Sequence, residues 1–106
     1  MRLITWNVQW CCGLDGRVDP GRIVETARRL GDFDVLCLQE VADNYPALRG
    51  NAGHDQAALL AAALPGFQRY YGPAVDESRG GGDRSRFGNL ILSRWPILDA
   101  WTLRLP

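Results

Sequence analysis

Asn7 and Glu40 are the residues of this chain best suited to chemistry on a charged substrate. Asn7 follows the apolar stretch Leu3–Trp6, and Glu40 follows Val35–Leu38 and Gln39. A glutamate carboxylate is a hard anionic oxygen, and an asparagine amide offers both a donor and an acceptor. Mg²⁺ keeps several waters and takes one or two carboxylates together with substrate phosphate. A single Glu beside an Asn is therefore half of a metal–phosphate site. Each residue also has a plainer account. A Glu after a buried strand serves as a solvated terminus or a helix-cap partner, and an Asn after a strand makes a turn.

The elements that would hold them can be read from pattern. Leu3 to Val8 is rich in β-branched and aromatic residues and reads as a strand. Gly13 to Gly16 is a loop. Asp19 before Pro20 starts a helix as a capping carboxylate followed by proline in the first turn. Ile23, Ala27 and Leu30 repeat at helical spacing, with Val24 widening the stripe, and Gly31 ends the helix. Val35 to Leu38 is a short apolar run that reads as a strand buried on both faces. Strand, helix, strand implies a parallel pair joined by a right-handed crossover. The carboxyl ends of such strands are where open α/β sheets hold ligands, so Asn7 and Glu40 are expected side by side at that edge.

Further along, Asp43 to Asp55 reads as a polar loop and Gln56 to Leu64 as an Ala/Leu-rich helix closed by Pro65 and Gly66. Phe67 to Tyr71 reads as a strand reaching toward Val75. Asp76 to Arg86, with Gly80, Gly81 and Gly82, reads as a mobile loop. It is locally basic, and two roles stand open for it: a solvated segment, or a contact for substrate phosphates through Arg84 and Arg86. Leu90 to Leu92 reads as a strand, and Ile97 to Leu105 as a further strand antiparallel to it. The expected architecture is α/β, a mixed sheet of about five strands with two helices. Both sheet faces would want cover, and two helices supply it for one.

Composition narrows the classes. Twelve acidic residues balance twelve basic ones, so net charge argues for neither nucleic acid nor membrane. Every basic residue is Arg. Cys11, Cys12 and Cys37 do not form a disulfide framework, and their thiols fit a reducing compartment. Met1 and Arg2 lead directly into the first strand, which leaves no signal peptide, and no apolar run is long enough for a bilayer. A cytoplasmic location without a membrane partner is expected.

Three segments carry a family resemblance. They are Ile4-Thr5-Trp6-Asn7-Val8-Gln9-Trp10, Asp34-Val35-Leu36-Cys37-Leu38-Gln39-Glu40-Val41 and Gly88-Asn89-Leu90-Ile91-Leu92-Ser93-Arg94-Trp95-Pro96-Ile97. In order and spacing they resemble the Thr-Trp-Asn-Val opening, the Gln-Glu metal motif and the Gly-Asn…Leu-Ser-Arg-x-Pro-Ile strand of the endonuclease/exonuclease/phosphatase family. The resemblance spans the chain. It implies a four-layer, DNase I-like α/β sandwich of which residues 1–106 are the first half, a partial domain without its C-terminal half. It implies that Glu40 binds Mg²⁺ or Mn²⁺ and that Asn7 positions the scissile phosphate. Gln39 and Asn89 would be supporting or strand-end structural positions, Asn89 also a candidate for substrate binding, and Ser93 and Arg94 turn formers.

The chain also departs from the family. Repair-type members have an Asp two residues after the Asn, where this chain has Gln9. The family's catalytic His, its Asp-x-Asn segment and its terminal Asp-His pair lie beyond the third motif and have no positions here. The single histidine, His54, falls in a loop that does not match. The expected function is the N-terminal part of a Mg²⁺-dependent phosphoesterase, inactive alone. Its partners would be a phosphate ester, nucleic acid among the candidates, and either the missing half of the domain or a second copy on the exposed sheet face. The alternative is a non-catalytic α/β binding or scaffold module that retains remnants of the metal site.

Overall fold

The computed structural model describes residues 1–105. Its first strand, β1 (Leu3–Asn7), alternates exposed and half-buried positions, turning Ile4 and Trp6 toward the core and Leu3, Thr5 and Asn7 away from it. Helix α1 (Pro20–Leu30) is capped as the sequence suggests. The Asp19 carboxylate accepts the Arg22 N–H at 3.3 Å, Pro20 opens the first turn, and Ile23, Val24 and Ala27 form the buried stripe. Gly31, at φ 139°, donates its N–H to the Arg28 carbonyl and ends the helix.

The chain then enters β2 (Val35–Asp43), crosses a loop to α2 (Gln56–Ala62) and returns as β3 (Gln68–Gly80) and β4 (Asp83–Ser93). Asp55 caps α2 by accepting the Ala58 N–H at 3.1 Å. The four strands form one mixed sheet in the order β1-β2-β4-β3. β1 and β2 are parallel, and β2–β4 and β3–β4 are antiparallel. Both helices contribute to one core, where Leu36, Leu38, Leu90 and Leu92 of the sheet meet Ile23, Val24, Ala27, Ala57, Leu60 and Leu64. The opposite face is open: Leu3, Thr5, Asn7, Asn89 and Ile91 are exposed on it, and Val35 and Cys37 are half-buried.

The fold class follows the sequence, with four corrections. The run Val35–Leu38 is fully covered on one face only, since the helices lie on one side. β2 does not stop before Glu40; a bulge between Leu38 and Val41 lets it continue and pair Asp43 with Arg86. The segment Asp76–Arg86 is not a loop but the arm of the β3–β4 hairpin. Asp76 pairs with Arg86, Glu77 with Ser85, Ser78 with Arg84 and Gly80 with Asp83. Gly81 and Gly82, at φ 60° and 88°, make the two-residue turn that hairpins favour.

Finally, Ile97–Leu105 forms no strand, so the sheet has four strands rather than five. β4 is flanked by β2 and β3 on its two sides, which leaves no edge for a following hairpin strand. Residues 97–105 instead run by the open side of β3 and β4. The Ile97 N–H is held by the Gln68 side chain at 2.7 Å, and the Tyr70 and Thr102 hydroxyls share a 2.7 Å hydrogen bond.

Candidate active site

Asn7 is the last residue of β1 and is registered against Gln39 of β2. Glu40, the next residue along β2, lies in the bulge at φ 60°. A left-handed conformation is uncommon for a residue with a Cβ and persists where the surroundings over-determine it. Here they do. The Trp10 N–H donates to the Glu40 carbonyl at 2.7 Å, and the Val8 N–H donates to the Gln39 carbonyl at 3.1 Å. The register thus sets Asn7, at the end of the edge strand β1, opposite the residue that precedes Glu40 in the bulge of β2.

Asn7 is oriented by its own turn. Its side-chain oxygen accepts the Gln9 N–H at 3.1 Å, which is the turn chemistry expected of Asn. That bond uses one acceptor site of the amide and fixes its direction, leaving the amide N–H₂ and a second lone pair for a ligand. The turn itself is unusual: Gln9, Trp10 and Cys11 all have positive φ, at 49°, 46° and 59°. It is tied down by the Cys12 N–H on the Gln9 carbonyl (2.9 Å), the Asp19 N–H on the Cys11 carbonyl (3.0 Å) and the Trp10 indole N–H on the Arg49 carbonyl (2.9 Å).

The other predicted residues divide. Asn89 and Gly72 are paired on β4 and β3, and Leu90, next to Asn89, pairs with Leu38. Asn7, Gln39 and Asn89 thus form one polar row across the open face, and Gln39 donates to the Thr5 hydroxyl at 3.0 Å. Arg86 and Arg84 stand farther out on the hairpin arm and are already engaged with carboxylates. Arg84 donates to Asp76 at 2.6 Å, and Arg86 lies 3.6 Å from Asp43. Burial, helped by the nearby Asp55 and Asp76 and opposed by Arg86, pushes the Asp43 carboxyl up from its ordinary value. His54 is exposed, and its carbonyl accepts the Asn44 N–H.

Among the described residues no group of three or more His, Cys, Asp or Glu side chains is placed to hold a metal by itself. Glu40 makes no ion pair among them. A carboxylate with no cationic partner can contribute hard oxygen to a hydrated divalent ion, with the remaining positions filled by water and phosphate. Burial pushes the Cys11 thiol up to about 12, and burial also raises Cys37, so neither is suited to act as a thiolate.

One buried residue was overlooked in the sequence. Gln56, fully buried at the start of α2, donates to the Trp10 carbonyl at 2.9 Å and accepts the Ala42 N–H at 3.0 Å. A Gln after a capping Asp reads as a solvated first-turn residue, and no sequence pattern marked it otherwise.

No curated protein matches the chain. Among solved structures, it is similar to the endonuclease/exonuclease/phosphatase of Beutenbergia cavernae DSM 12333. The identity is 31% over 94% of this chain and 27% of that one, with a TM-score of 0.73. It also shares its fold with an endonuclease/exonuclease/phosphatase family protein of Leptotrichia buccalis C-1013-b. That match is 16% identical, covers 93% of this chain and 39% of the other, and has a TM-score of 0.55. The chain thus spans about a quarter to two fifths of those proteins' lengths. No helix among the described residues is long and apolar enough to cross a membrane. The profile of the endonuclease/exonuclease/phosphatase family matches residues 4–105, and the chain belongs to that family.

Proposed function

We propose that this chain supplies the Asn7–Glu40 part of a Mg²⁺- or Mn²⁺-dependent phosphoesterase site, with Glu40 holding the cation and Asn7 positioning the phosphate. The observation that carries this reading is the register of Asn7 against Gln39, with Glu40 following in a bulge whose carbonyl is held by Trp10. When bound, the cation supplies polarisation of the phosphate ester and a template for in-line attack. Glu40 neutralises part of its charge. The Asn7 amide hydrogens serve a non-bridging phosphate oxygen, and Asn89, in the same row, serves the substrate from the β4 side.

These residues do not make a complete catalyst. General acid–base groups contribute roughly 10²–10⁴-fold, and His54, the single histidine, is exposed on the loop before α2. The remaining groups come from further parts of the family's domain or from a second copy seated on the open face. Phosphate esters are the substrate class, nucleic acid among them. With bis(p-nitrophenyl) phosphate and Mg²⁺ the expected result is negligible turnover by the chain alone.

Titration with Mn²⁺, followed by loss of the free ion's electron paramagnetic resonance signal, tests the assignment. The expected result is that the chain binds the ion and that Glu40→Ala weakens binding by about tenfold or more. Equal binding by both proteins would refute the role of Glu40 and favour a non-catalytic scaffold module.

A further inference from the structure

Glu40 and Trp10 both adopt positive φ, at 60° and 46°, and their backbones are joined by the Trp10 N–H on the Glu40 carbonyl at 2.7 Å. With the Val8 N–H on the Gln39 carbonyl at 3.1 Å, that bond ties the turn after Asn7 to β2 as far as Glu40, and neither bond reaches the part of β2 beyond the bulge. The Gln56 side chain supplies that further tie. Its amide N–H donates to the Trp10 carbonyl at 2.9 Å, and its carbonyl accepts from Ala42, two residues after Glu40, at 3.0 Å. The result is a closed circuit from Glu40 to Trp10, from Trp10 to Gln56, and from Gln56 to Ala42, which leads back along β2 to Glu40. We propose that Gln56 is a positioning residue for the Asn7–Glu40 site, locking the turn after β1 to the bulge of β2; this rests on the metal–phosphate reading of those two residues.

The chemistry of the position supports a specific need for Gln. The side chain is completely buried, so water cannot replace either bond, and an unmet backbone group there would be penalised. A primary amide donates and accepts from one planar group. An ionised carboxylate at the same place could accept from Ala42 but could not donate to Trp10. A thioether or alkyl side chain could do neither. The Gln56 backbone is held separately, as the first residue of a helix capped by Asp55, so the side chain is spare for this tie.

The test uses the full chain and its Gln56→Glu and Gln56→Met variants. Mn²⁺ affinity is measured by paramagnetic resonance, and amide hydrogen exchange is followed at Trp10, Ala42, Leu38 and Leu90. The expected result is that core amides of Leu38 and Leu90 stay protected while Ala42 and Trp10 exchange faster in Gln56→Met, which binds Mn²⁺ about tenfold more weakly. Gln56→Glu is similarly weak at neutral pH. Relative to the parent chain measured at the same pH, it recovers as the pH falls and the introduced carboxyl group gains a proton that it can donate to Trp10. Gln56→Met shows no such recovery.

Wild-type affinity in both variants, with the core amides protected, overturns the inference and leaves the Glu40 assignment standing. Affinity lost only in parallel with core protection, and without pH-dependent recovery, assigns Gln56 to stability alone and also overturns it. Failure of the parent chain to bind Mn²⁺ overturns both the inference and the site reading.

Discussion

The two faces of the sheet use the same strands for different ends. Toward the helices, Leu36, Leu38, Leu90 and Leu92 are fully buried. On the other side, at the alternate positions of these strands and β1, Thr5, Asn7, Asn89 and Ile91 are exposed. Because strand side chains alternate, one segment can serve stability with every second residue and keep the others for ligands. The lesson is that the polar row of Asn7, Gln39 and Asn89 stands on a scaffold whose rigidity comes from the opposite face. Changes on the two faces should therefore register in different measurements.

The largest expected effect is on the covered face. Leu38→Ala removes a fully buried side chain from the middle of the core and should destabilise by about 2–5 kcal/mol in urea unfolding. A loss below about 1 kcal/mol would show that the core is far looser than its burial implies. Gly88→Ala comes next. A Cβ there would lie 2.5 Å from the Gly72 carbonyl oxygen and 2.6 Å from the Pro73 Cα. Those atoms are backbone of the paired strand and cannot swing aside, so overpacking should cost about 1–3 kcal/mol.

Smaller still is a pH effect from Cys11, a core residue. Its thiol is raised by burial from 9.0 to about 12. As pH rises past 9.0, the unfolded chain releases this proton while the folded chain keeps it. Stability from this group is complete below that pH and is lost at up to about 1.4 kcal/mol per pH unit above it. Unfolding free energies at pH 8 and pH 10 should therefore fall more steeply for the parent than for Cys11→Ala; identical slopes would place Cys11 outside the core.

The smallest stability effect belongs to the open face. Ile91 is 39% exposed, Leu3 is 50% exposed, and the nearby Trp101 is 74% exposed. Apolar exposure on one sheet face favours association. Ile91→Thr should change stability by only about 0.5 kcal/mol while shifting the chain toward monomer in sedimentation velocity. An unchanged sedimentation profile would mean that this face does not mediate contact between copies.

Sequence and structure agree where the signal is local. Asp19-Pro20 and Gly31 mark the ends of α1, and the caps are formed by those residues. The parallel pairing of β1 with β2 was legible too, and its register sets Asn7 opposite Gln39, the neighbour of Glu40. The arm Asp76–Arg86 was not, because its pairing lies across a turn and three adjacent glycines read as a loop whatever their partners do. The bulge at Glu40 was hidden for a related reason. Nothing in a non-glycine residue's type announces a positive φ, which here is imposed by Trp10 and the continuing β2–β4 ladder. Gln56 was missed because hydrophilic residues at helix starts are ordinarily wet, and its burial is a tertiary property.

The proposed site has Glu40 on a cation and Asn7 on the phosphate next to it, and the most direct measurement is a map of Mn²⁺-induced broadening over the amide resonances of the full chain. Strongest broadening is expected at the Asn7 side-chain amide and at the backbone amides of Gln39, Glu40 and Trp10, with Glu40→Ala abolishing it. Broadening centred instead on the hairpin arm around Asp43 and Asp76, or unaffected by Glu40→Ala, would contradict it.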